Sequence, residues 1–66
     1  MTNPDAADLT FVHAMVKHHM AALEMAMERI QKSGDGYVLH AATRIMGAQS
    51  SEIDEFRSWL AAHEQD

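Results

Sequence analysis

The chain has 66 residues, no cysteine, and ten acidic against five basic side chains, for a formal net charge of −5 with histidine neutral. That length allows one domain and buries only about 60% of the unfolded surface, so a metal or a partner is the expected support, disulfides and thiol redox chemistry being excluded. The acidic balance argues against nucleic acid and anionic lipid, and no apolar run approaches the roughly 20 residues that span a bilayer, so no membrane insertion is expected.

At the N-terminus Asn3-Pro4 and Asp8 compete as helix starts, with Pro4 acceptable in a first turn. No charged-then-apolar signal segment opens the sequence, so an exported form would need a leader that is not here. From Asp8 to Lys32 the residues are predominantly Ala, Met, Leu, Glu and Lys, strong helix formers, and the first helix is assigned there or one turn earlier. Ser33-Gly34-Asp35-Gly36 is the one internal break. Gly34 suits a left-handed position after a helix and Asp35 the N-cap of the next. The second helix is assigned to Gly36–His63. Each helix would be about 40 Å long at ~1.5 Å per residue.

At about 100° per residue, Phe11, Val12, Met15, His19, Ala22, Leu23, Ala26 and Ile30 share a face of the first helix, with His18 and Met25 together on one flank. On the second helix the face holds Val38, Ala42, Ile45, Met46, Gln49, Ile53, Phe56 and Leu60, with Glu52 at its edge. A short break between long helices makes an antiparallel αα-hairpin. The expected fold is therefore all-α, a single helical-hairpin domain over residues 1–66. A lone hairpin leaves part of its stripe open, so two copies are expected to pair as a homodimer and close a four-helix bundle.

Four polar side chains interrupt these faces: His18, His19, Gln49 and Glu52. Buried polar groups cost on the order of 1–3 kcal/mol each unless paired. One reading is a hydrogen-bonded network that fixes bundle register, making the chain a non-catalytic structural or interaction module. The other is a metal ion. Met15 precedes His18 and His19 by one helical turn, and Met25 lies two turns beyond His18 on its flank. Imidazole with thioether and no thiolate suits a copper ion, particularly Cu(I), better than magnesium, calcium or manganese. Met46 is a further candidate ligand from the second helix.

Zinc would want more histidine or carboxylate ligands than this set offers, and a di-iron bundle needs several inward glutamates. Ser50 and Ser51 lack a placed base, so hydrolysis has no visible nucleophile. Enzymatic activity is the least expected outcome. His13, His40 and His63 fall on outward faces or near the C-terminal end, and Met20 and Met27 away from the stripe centre.

The run Asp8-x-x-Phe11-x-x-x-Met15-x-x-His18-His19-x-x-Ala22-x-x-Met25-Ala26, followed by Ile45-x-x-x-Gln49-x-x-Glu52-Ile53 and Trp59-Leu60, resembles the bacterial domain-of-unknown-function family 305. The Met-x-x-His-His and Gln-x-x-Glu-Ile pair is more specific than His-His alone. The resemblance implies a ferritin-like helical bundle in a family that includes periplasmic copper-binding proteins. It points to Met15, His18, His19 and Met25 as copper ligands, with Gln49 and Glu52 orienting them. It also implies buffering or resistance rather than catalysis, and a periplasmic or secreted setting. Two features depart from the family pattern. Phe56 stands where a second methionine often precedes the Trp-Leu pair, and the single hairpin would fit one repeat or a fragment of a longer protein.

Overall fold

The computed structural model describes residues 3–64. Two helices make up the structure: α1 (Ala6–Lys32) and α2 (Gly36–His63), packed side by side as an antiparallel hairpin. Among the described residues there is no strand. No helix among them is long and apolar enough to cross a membrane.

α1 begins ahead of Asp8 because two aspartates close its first turn. The Asp5 carboxylate accepts from the Asp8 backbone N–H at 2.8 Å, and the Asp8 carboxylate accepts from the Asp5 N–H at 3.1 Å. This reciprocal capping box serves two backbone donors that the helix itself leaves free. Asp5 is the N-cap and Asp8 the third residue in.

The break departs from expectation at Gly34. Among the described residues no glycine has a positive φ. The chain instead leaves α1 through an extended Ser33 (φ −81°, ψ 140°), whose backbone N–H donates to the Arg29 carbonyl at 2.8 Å. The Ser33 hydroxyl then accepts from the Asp35 N–H at 3.1 Å, and the Asp35 carboxylate accepts from the Val38 N–H at 2.9 Å. Side chains, rather than a left-handed glycine, make this turn. Asp35 is the α2 N-cap, as its position in the sequence implies.

The rod measures 48 × 17 × 16 Å, one layer of two helices. Its core is thin: His19 and Ala26 from α1 meet Ala42, Ile53 and Leu60 from α2. Near the loop the buried pair is alanine on alanine; towards the open end larger aliphatics fill the seam. One flank carries the most exposed apolar side chains, although Met20 and Met27 on the other side of α1 are exposed as well. Phe11 is 60% exposed and Met25 69%, with Tyr37 and Ile45 also in solvent. The helical pattern places Phe11 and Ile45 on the inward stripes, yet both lie open. A stripe of that width serves two neighbours, and a hairpin supplies each helix with one.

Candidate metal centre

Halfway along the rod, His19 is 5% exposed and bridges the helices. Its Nε2 lies 2.5 Å from Glu52 Oε1, and a carboxylate can only accept, so Nε2–H is the donor. In the neutral ring the remaining nitrogen, Nδ1, then carries a lone pair. Nδ1 is buried and, among the described residues, has no hydrogen-bond partner. One helical turn from Glu52, the Gln49 Oε1 is likewise buried without a partner. In the neutral ring, then, His19 Nδ1 and Gln49 Oε1 are two buried acceptors with no donor to meet them.

Phe56 packs edge-to-face on the His19 ring, with centroids 5.2 Å apart and planes at 76°. It shields the ring from water on the α2 side. The sequence pattern puts Phe56 on the inward stripe one turn from Glu52, but this contact is visible only once the helices are registered.

His18 does not share the buried position. It is exposed, and its ring lies 6.2 Å from that of His19, edge-on. Neighbours on a helix point about 100° apart, so two adjacent histidines cannot both face α2. The expectation that both interrupt the inward face is corrected to one inside and one on the open flank.

Met15 is half-buried, one turn before both histidines on α1. Met25 is exposed, about 10.5 Å along the axis from His18 at ~1.5 Å per residue. Met46 is half-buried on α2, six residues or about 9 Å along the axis loopward of Glu52.

The remaining histidines lie elsewhere. His13 pairs with Glu64 at the open end, and the His63 Nδ1–H donates to the Trp59 carbonyl at 2.8 Å while stacking on its indole. His40 is exposed.

The donors suit a soft ion better than a hard one. Among the described residues no three His, Asp or Glu side chains converge, as a zinc or calcium site would need. The soft donors lie within one helical turn on α1: the buried His19 imidazole with its unpartnered Nδ1, the Met15 thioether one turn before it, and the adjacent His18 imidazole on the open flank. A carboxylate on the far nitrogen is the usual way to orient a ligating histidine.

The family model described as Domain of unknown function (DUF305) matches residues 8–66, a span holding Met15, both central histidines, Gln49 and Glu52. The chain belongs to this family. The family's description assigns it no activity, so function has to be argued from the chain's own residues. No curated protein gives a significant match. No solved structure does so either.

Proposed function

We propose that this DUF305 chain is a small metal-binding module, with copper as the ion, that buffers or sequesters rather than catalyses. The observation that carries the proposal is His19: a buried imidazole fixed by Glu52 through one nitrogen, with the other left without a partner. A buried acceptor with no donor is costly, and a cation that takes its lone pair removes the cost. Met15 and His18 flank it as the nearest further ligands, Met25 approaches along the same flank, and Gln49 and Glu52 orient. Nitrogen and thioether donors favour Cu(I). When bound, the copper ion supplies no chemistry beyond its own capture. The working unit is a homodimer whose four helices close a bundle, and the family resemblance carries the proposal of a periplasmic or secreted setting.

The test is a Cu(I) titration under reducing conditions, comparing the natural sequence with the His18→Ala/His19→Ala double variant. Tight binding by the first, weakened at least tenfold in the second, supports the reading; equal and weak binding by both overturns it.

A second reading rests on the same His19–Glu52 bond. Turning the Gln49 amide over would present its NH₂ instead of Oε1, and a network of His19, Gln49 and Glu52 would then fix register without an ion. In that case the double variant changes association or melting in chelator, and metal changes neither.

A further inference from the structure

We infer that a second copy of the chain covers the open flank in one particular arrangement, with the two loops at opposite ends and the two His18 side chains meeting on the twofold axis. The arrangement is argued from geometry; what the axis holds rests on the metal-module reading above.

The uncovered area is the first argument. The chain exposes 5118 Å². A compact monomer of 7.4 kDa would expose about 4,200 Å², so roughly 900 Å² is in excess. A stable protein interface covers about 800 Å² on each partner. The surplus, spread over a rod of 48 × 17 × 16 Å, equals the area of one interface.

The second argument is the pattern on that flank. Phe11, Met15, His18, Ala22 and Met25 follow one another at steps of four, three, four and three residues, a seam of period 3.5. His18 is the middle member of the seam and lies within one residue of the midpoint of α1 (Ala6–Lys32). Two such helices crossing antiparallel at His18 put Phe11 of one opposite Met25 of the other, and Met15 within one residue of the level of the small Ala22. Beside Met25 runs an apolar groove of about 280 Å³, bordered by Ala22, Ala26, Val38, Ala42 and Ile45. Phe11 of the second copy is its occupant. Two identical helices packed antiparallel are related by a twofold axis, and an axis at the middle member of this seam passes between the two His18 residues.

Charge selects between the two twofold arrangements. Arg29 and Arg44 lie on the loop side of the helix midpoints, bordering the open flank. Asp8 and Glu55 lie at nearly matching distances on the other side. With loops opposite, Arg44 faces Glu55 of the second copy and Arg29 comes level with Asp8. With loops together, arginine meets arginine, and like charges across an interface are unfavourable. Full overlap then brings both His18 rings to the centre, each backed by its own His19, so one ion serves two chains.

The chain has no cysteine, so single cysteines report proximity cleanly. With chelator present and mild oxidation, His18→Cys should link to itself in most molecules and an equal mixture of Phe11→Cys and Met25→Cys in about half, the share of mixed dimers, while each of that pair alone and Glu24→Cys link at least tenfold less. Arg44→Glu and Glu55→Arg should each weaken the dimer by about tenfold in sedimentation, and together restore it. A monomer at ~100 μM, a mixture that links no better than its parts, or a double variant without recovery overturns the arrangement and leaves the metal reading standing. In Cu(I) titration of the natural sequence one ion per two chains is expected. One ion per chain overturns the shared position on the axis, whereas these crosslinks with no copper bound overturn the metal reading and leave the arrangement intact.

Discussion

His19 and Glu52 join the two helices at mid-length, the imidazole almost wholly buried and the carboxylate half in water, 2.5 Å apart. The pair matters because of what it leaves behind when cut. Removing the carboxylate strands a buried N–H, which costs more than the net worth of the bond itself. Because Glu52 is partly solvated, the lower part of the usual range applies: Glu52→Ala should destabilise the metal-free protein by about 1–2 kcal/mol. For so small a domain that is a melting-temperature drop on the order of 10 °C. Glu52→Gln keeps an acceptor in place and should lose less than half as much. Thermal unfolding in chelator checks this, and equal losses for both variants would show that the bond is not the source.

Much of this pairing is legible in the sequence and part is not. Helical angles alone put His19, Gln49 and Glu52 on facing stripes, because those residues recur with the apolar period. The separation of His18 from His19 was also available, since a step of about 100° forbids two adjacent side chains from facing one neighbour. Phe11 and Ile45 lie open for another reason: periodicity records that a surface is apolar, not whether a partner within the same chain covers it. Asp5 was missed as a cap because Asp8 is an equally good cap residue in isolation, and only their reciprocal bonds decide which is first. Register between the helices, and with it the Phe56–His19 contact, has no signature in one strand of residues.

The turn offers a discriminating pair of substitutions. Asp35→Ala removes the acceptor for the Val38 N–H and should cost about 1 kcal/mol, while Asp35→Ser keeps an acceptor and should cost only a few tenths. Gly34→Ala should behave in the opposite sense. The residue has no positive φ, and an added Cβ meets nothing within 4 Å. Losing glycine's freedom in the unfolded chain then stabilises by about 0.4–1 kcal/mol. A clear loss of stability on urea unfolding would mean that Gly34 adopts the left-handed conformation after all.

Methionine substitutions separate ligand from filler. Leucine keeps most of the volume of methionine and removes the sulfur, so packing changes little, typically by less than about 1.5 kcal/mol. Met15→Leu should weaken Cu(I) binding at least tenfold in competition with a chromophoric chelator. Met20→Leu and Met27→Leu should leave it unchanged, because both side chains lie on the other side of α1, where Met20 meets Arg57 across the hairpin at 3.6 Å. If all three variants bind alike, thioether ligation at Met15 is wrong and imidazoles alone would have to carry the ion.

The core and the open flank should fail in different ways. Ile53 is buried within the hairpin, and cutting it to alanine removes about three carbons from a thin seam, a loss of roughly 2–4 kcal/mol with the cavity included. A domain of this size holds on the order of 3–10 kcal/mol in total. Ile53→Ala should therefore lower the melting temperature steeply at every protein concentration. Ile45 lies on the uncovered side, and its truncation touches a surface that matters only when a second copy is present. At low concentration Ile45→Ala should melt close to the natural sequence. At high concentration it should lose the extra stability that association lends the folded state. Melting curves across a hundredfold range of concentration distinguish the two. A constant offset for Ile45→Ala throughout that range would mean that its side chain packs within a single hairpin.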